Sequence, residues 1–419
     1  MQGSENTHVP PSAEKQNPAF TELSEVASIG SNGWIVFATD DWFAPAEWML
    51  KDSEPVFRPD EYTPFGKWMD GWETRRKRMP GHDWCIVELG APTQIAGFMI
   101  DTAFFTGNYV PRISIQGGTL DETIKHMLQT SIPRQLGCNG DANIGSGRSA
   151  EEVGMVDLIG TEHWDVLLPR SELKPGYEQT RRQYFIVPKG KQSLVVNHLR
   201  VNMFPDGGIA RLRVYGTVSL KVHDGVSVKN PIDMIAMLNG GCCTGFSNAH
   251  YGHPRNLIKP NTGVNMGDGW ETARRLDRPP VLRVDDAGIL QVPGSEWATF
   301  QLGASDGCWI VRICIDTKHF KGNYPDNVKV EYASKAKRER WIPLMERKKL
   351  GPNRMHEFGM ADLLPQQHLA SFVRITIAPD GGLSRVRIFG TVAKDKTPEG
   401  NENATISEAD QNLWEPLAQ

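Results

Sequence analysis

The sequence is written twice. Asp70-Gly71-Trp72-Glu73-Thr74 returns as Asp268-Gly269-Trp270-Glu271-Thr272, and Phe105-Thr106-Gly107-Asn108-Tyr109 returns as Phe320-Lys321-Gly322-Asn323-Tyr324. Pro205-Asp206-Gly207-Gly208, leading into Arg211-Leu212-Arg213, returns as Pro379-Asp380-Gly381-Gly382 leading into Arg385-Val386-Arg387. The blocks keep their order. Two long copies describe a duplicated domain, not a solenoid of short units. The copies are placed at 21–220 and 232–394, between a disordered N-terminal segment, 1–20, and a polar C-terminal tail, 395–419. The first copy is the longer, largely because 131–154 is rich in Gly, Asn and Ser and reads as a surface loop.

Inside each copy the hydrophobic pattern is short and has period two. Leu199, Val201 and Met203 alternate with His198, Arg200 and Asn202, as Val373, Ile375 and Ile377 do with Arg374 and Thr376. Such runs predict half-buried strands. Pro-Asp-Gly-Gly between two of them predicts a hairpin turn. Further strands are expected at 34–38, 85–89, 94–101, 112–116 and 309–316, with a helix near 121–129. Many short strands and scarce helical periodicity give the fold class: all-β, two tandem jelly-roll/β-sandwich domains from an internal duplication.

Charge and composition narrow the function. Lys+Arg 46 against Asp+Glu 50 leaves a net charge of −4, which repels polyphosphate, so nucleic acid is not an expected partner. No apolar run approaches a bilayer span and no signal peptide is visible; the expectation is a cytoplasmic protein with no membrane partner. The six cysteines lack C-x-x-C spacing and read as free thiols. No phosphate loop, dinucleotide fingerprint, H-E-x-x-H or G-x-S-x-G is present, so no cofactor is expected. A divalent metal is possible, with His250 and His253 as the candidate ligands, provided that a carboxylate joins them.

The repeated blocks also carry chemistry. Glu73 and Glu271 stand beside basic residues and suit proton transfer, while Arg75, Arg76 and Arg275 can hold an anion. Asn108 and Asn323 offer donor and acceptor together, as a ureido or amide group requires, and Tyr109 and Tyr324 add hydroxyls. Asp206 and Asp380 are turn formers that can also bind substrate, and Arg211 and Arg385 share a non-core strand face. His82, in Pro80-Gly81-His82-Asp83-Trp84, is a further acid–base candidate.

The DGWETRRKR and GHDW stretches of copy one, SNAHYGHPRNL and DGWET of copy two, and the paired F-x-GNY and PDGG blocks together resemble the allantoicase family. The resemblance spans 24–392. It implies two jelly-roll domains, hydrolysis of allantoate to ureidoglycolate and urea in purine (allantoin) degradation, and a homo-oligomer. Copy two departs from copy one in an Ala273 that reads as an insertion before Arg274-Arg275, and in Cys242-Cys243-Thr244 where copy one opens on an apolar strand. Chemistry and position then give the roles. Glu73, Glu271 and His82 are catalytic candidates, and the Arg, Asn, Tyr and Asp residues above bind substrate. In each copy the DGWET turn and the F-x-GNY loop are expected to converge at one end of the sandwich. Two other readings stand beside this one: a tandem jelly-roll protein that binds a sugar or other small ligand without turnover, and a divergent copy that has kept the scaffold and lost activity.

Overall fold

The computed structural model describes residues 8–9, 17–134, 138–219, 231–304 and 306–392. Most of the expected N-terminal segment and the whole 395–419 tail lie outside these. The chain divides into two compact units, Met1–Ser219 and Leu220–Gln419. Both are antiparallel β-sandwiches. Among the described residues no helix is long and apolar enough to cross a membrane.

The second unit shows the plan most plainly. One sheet runs in the order Cys242–Phe246, Glu296–Gln301, Phe372–Ala378, Asn327–Ala333, Ile342–Lys349; the other runs Ile232–Asp233, Arg385–Val392, Cys308–Asp316, Met355–Phe358. Their inner faces supply one core. Phe300, Val330, Val373 and Ile375 come from the first sheet and Ile313, Ile315, Val386 and Ile388 from the second, all buried. Period-two alternation delivers these residues to one side of each strand.

In the first unit a single strand, Asp83–Asp101, does the work of two. Its first half pairs with Trp34–Ala38 and Val195–Phe204, and its second half pairs with Arg211–Val218 and Arg182–Ile186. The separate strands expected at 85–89 and 94–101 are therefore one strand, and its pairing with Val195–Phe204 is irregular between residues 88 and 93.

The Pro-Asp-Gly-Gly hairpin is also corrected. The strands on either side, Val195–Phe204 and Arg211–Val218, do not pair with each other; each pairs with Asp83–Asp101, and Gly208–Ile209 pairs with Trp72–Glu73. Gly382–Leu383 pairs with Trp270–Glu271 in the same way.

Two burial expectations change too. His198, Arg200 and Asn202 are buried, although they alternate with the core residues. The helices Glu122–Ser131 and Ala150–Asp157 cover that face and form a second apolar cluster of Leu120, Leu128, Ile132 and Val156 against Trp84 and Phe37. The supposed surface loop at 131–154 thus belongs to a structured insertion, in which Ile132, Arg134 and Asn143 are buried. Arg134 bonds both Asp41 and Glu47.

Candidate active site

The turn that failed to be a hairpin builds the site. Gly208 pairs with Glu73 along one edge and bridges Tyr109 along the other, its N–H donating to the Asn108 carbonyl at 2.8 Å. A glycine is required there, since a Cβ would lie 2.1 Å from the Phe105 ring; the preceding Gly207 has φ +134°, a conformation open to glycine. DGWET and F-x-GNY are thereby held side by side, and the Asn108 Nδ2 donates to Glu73 Oε1 at 2.6 Å. Trp72 is fully buried under this pair and donates from Nε1 to the Asp40 carbonyl at 2.8 Å.

Copy two repeats the construction. Gly382 pairs with Glu271, its N–H donates to the Asn323 carbonyl at 2.8 Å, and Asn323 Nδ2 donates to Glu271 Oε1 at 2.6 Å. The surroundings then diverge. Glu73 is only 9 % exposed, and burial lifts its pKa from the ordinary 4.5 to about 7, a rise that the Asn108 bond only partly offsets. Its carboxyl lines a cavity of about 320 Å³ with apolar walls of Phe43, Phe57, Met69 and Phe104; Asn108, Thr106 and Lys67 are the other polar groups there. The Lys67 ammonium lies 4.8 Å from the Phe57 ring centroid and has no ion pair among the described residues.

The cavity wall comes from extra chain. Lys51 pairs with Asp70 and Lys259 with Asp268, which aligns the copies, and copy one has ten more residues between these partners. Those residues bring Phe57 and the small hairpin of Tyr62–Thr63 with Gly66–Lys67. Counting back from the aspartate, Asn265 stands where copy one has Lys67, and its Oδ1 accepts from the Asp268 N–H. Copy two thus keeps the Glu–Asn pair without the cation.

Of the residues expected at the site, Glu73 with Asn108 and Glu271 with Asn323 are brought together. Tyr109 packs against Met69, Ala103, Phe105 and Ala210, and Tyr324 against the core of its own unit. The expectation that Arg211 and Arg385 bind substrate is corrected. Both are buried, and each bonds backbone carbonyls plus the DGWET aspartate, Arg211 to Asp70 and Arg385 to Asp268, at 2.7 Å. No side of either guanidinium is left for a ligand.

Arg75 is paired with Asp40 and lies over the Trp42 ring, while Arg76 is exposed away from the cavity lining. Asp206 accepts from the Lys77 N–H, and Asp380 accepts from the Arg275 N–H and pairs with Arg278. Both aspartates organise turns. Arg275 itself is held by Asp277 and Glu296. His82 packs at a tilt against Phe204 with its Nε2 3.1 Å from the Asn202 Oδ1, and it does not line the cavity.

Ala273 is not an insertion. Its N–H donates to Asn248 Oδ1 as the Arg75 N–H donates to Asp40 Oδ1, so Ala273 replaces Arg75 in register. The carboxylate that would have to join His250 and His253 is not placed with them among the described residues. His250 packs edge-on to Tyr251, His253 Nδ1 caps the turn by accepting from the Arg255 N–H, and burial drives the His253 pKa to about 4. Among the described residues no three His, Cys, Asp or Glu side chains are placed to share an ion.

Lys67, Phe43, Phe57 and Phe104 escaped the sequence reading. For Lys67 and Phe57 the one signal was the longer Lys51-to-Asp70 interval; Phe43 and Phe104 lie outside it.

Comparison with known proteins agrees with the repeats. The Allantoicase repeat family model matches residues 24–219 and 232–393. A "Probable allantoicase" of Acinetobacter baumannii (strain SDF) is 38% identical over 393 residues, covering 90% of this chain and 98% of that protein. The crystal structure of allantoicase from Saccharomyces cerevisiae superposes with a TM-score of 0.64 at 30% identity, covering 88% of this chain and 94% of that one. A second allantoicase structure gives the same TM-score and coverage at 29% identity.

Proposed function

The chain belongs to the allantoicase family, whose reaction turns allantoate and water into ureidoglycolate and urea in purine (allantoin) degradation, and we propose that it performs this hydrolysis at Glu73, in the cavity of its first repeat. Allantoate carries a carboxylate and two ureido arms on one carbon. Lys67 supplies the cation for the carboxylate, and the Asn108 amide oxygen accepts from a ureido N–H.

Glu73, protonated at the start, gives its proton to the nitrogen of the departing arm. The C–N bond breaks as the lone pair of the remaining ureido nitrogen forms a C=N bond, and urea leaves. Glu73, now a carboxylate, takes a proton from water while the water oxygen bonds to the same carbon. This yields ureidoglycolate and restores the protonated Glu73. A carboxyl group with a pKa near 7 is suited to both steps. The observation carrying this reading is that the buried, Asn108-bonded Glu73 shares a cavity with Lys67, which has no ion pair among the described residues.

The test is urea release from allantoate. Glu73→Gln keeps shape and hydrogen bonding but not titration, and kcat should fall about 10²–10⁴-fold, whereas Glu271→Gln should stay within a few-fold of wild type. Near-normal turnover by Glu73→Gln would refute the assignment. No resident nucleotide, flavin or metal enters this scheme; loss of activity on chelation with recovery on adding a divalent ion would bring a metal into it. We further propose a homo-oligomer working in the cytosol. Exposed Leu276, Val281, Leu282 and Val284 on the second unit, together with free cysteines, support this, and a monomeric mass by light scattering would oppose it.

A further inference from the structure

The first repeat has a second stretch of extra chain, and it touches the first. Between the strands Arg112–Gly118 and Asp165–Glu172 lies a long insertion; the matching strands of copy two, Asn327–Ala333 and Ile342–Lys349, are joined by a short turn. Part of this insertion, 144–148, runs along 39–42. The Gly145 N–H donates to the Trp42 carbonyl at 3.0 Å, the Asp41 N–H to the Ser146 carbonyl at 3.0 Å, and the Arg148 N–H to the Thr39 carbonyl at 2.9 Å. Ile144 packs against Ala44, Trp48 and Trp68.

At the centre of this contact sits Phe65, the tip of the hairpin that carries Lys67. Its ring meets Trp42 edge-on with centroids 5.2 Å apart. Its tip meets Gly145, where a Cβ would lie 2.2 Å from the Phe65 Cζ, in a backbone conformation of φ +83° that other residues rarely adopt. Phe65 is thus held by a ring and a bare stretch of backbone. Lys67 lies two residues away on the same hairpin, Tyr62 pairs with Lys67 across it, and a Cβ on the intervening Gly66 would come 3.0 Å from the cavity residue Phe43.

We infer that the 144–148 segment is a clamp and that Phe65 and Gly145 are positioning residues. They fix the hairpin so that the Lys67 ammonium stands where the substrate carboxylate arrives. This rests on the assignment of the first-repeat cavity as the active site. A hairpin of two-residue strands is marginal alone, and an ammonium on a free hairpin would have to be ordered by each substrate molecule as it binds. The clamp removes that requirement and acts on binding more than on the proton transfers at Glu73.

The test is steady-state kinetics with allantoate on Phe65→Ala, Gly145→Ala, Lys67→Met and the two doubles with Lys67→Met. Phe65→Ala should raise KM about tenfold or more, leave kcat within threefold, and leave the apparent pKa near 7 in the kcat profile unmoved; Phe65→Tyr, which keeps the ring, should restore KM. Because the clamp works through Lys67, each clamp change should add less than twofold in the Lys67→Met background. Phe65 is 39% exposed, so its truncation leaves a folded protein to measure even if Gly145→Ala does not.

An unchanged KM in Phe65→Ala, or a full tenfold loss on top of Lys67→Met, would overturn the clamp. If Lys67→Met itself leaves KM unaltered, the anchor assigned to the cavity falls and the clamp falls with it. A raised KM in Lys67→Met beside a silent Phe65→Ala removes the clamp alone.

Discussion

Replacing Glu73 by Gln should lower kcat about 10²–10⁴-fold and raise stability relative to wild type as pH rises. Burial raises the Glu73 pKa from 4.5 to about 7, so the folded state holds this proton more tightly than the unfolded chain does. For a carboxyl shifted upward, the stabilising contribution is complete below the unfolded value of 4.5 and is lost as pH rises through the folded value near 7. At 1.36 kcal/mol per pH unit the whole effect is about 3 kcal/mol, of which about 2 to 3 kcal/mol falls between pH 5 and pH 8. Gln carries no such dependence. Guanidinium unfolding of both proteins at the two pH values, followed by a probe in the first unit, gives the comparison. The Gln variant should gain about 2 to 3 kcal/mol on wild type between pH 5 and pH 8, equivalent to roughly 4–12 °C in the midpoint for a unit of this size. A difference between the two proteins that does not change with pH would refute the argument, because it would mean that Glu73 titrates alike in the folded and unfolded chain.

Two other outcomes follow from the same geometry. Since the reaction begins with protonated Glu73, kcat/KM for allantoate should be flat below pH 7 and fall tenfold per pH unit well above it; a profile that climbs through pH 7 would reverse the order of acid and base steps. Gly208→Ala, with its Cβ driven to 2.1 Å from the Phe105 ring, should destabilise the first unit by about 1–3 kcal/mol and depress turnover, while Gly107→Ala, with nothing within 4 Å, should fold normally. Equal thermal midpoints for these two alanine variants would count against the packing account.

The repeated motifs were legible because they do the same local job twice. Glu73 and Asn108 were picked out as separate site candidates from residue type and repeated position, and the backbone of Gly208 brings them together. The Arg211 and Arg385 faces misled because alternation says which side of a strand a residue takes and nothing of what covers that side; here it is backbone near Trp48, Ser53 and Asn261. The strand Asp83–Asp101 read as two because Gly90-Ala91-Pro92 interrupts its pattern, and that interruption is where its register against Val195–Phe204 breaks. Lys67 could not be found from motifs, since it lies in chain that the second copy lacks. His253 was read as a ligand candidate from its spacing to His250, and the structure gives it the further task of capping a turn.

Gly208 also sets a timetable. The acid and its amide partner are made early, at residues 73 and 108, but the strip that joins them lies a hundred residues further along. While the chain is emerging from the ribosome, Glu73 has no neighbour on that edge and its burial is incomplete, which removes part of the cause of its displaced proton affinity. The reactive carboxyl is finished only when the first repeat is nearly complete. A translation product cut short before residue 205 would carry every side chain that lines the cavity and still have a more ordinary glutamate in place of the acid.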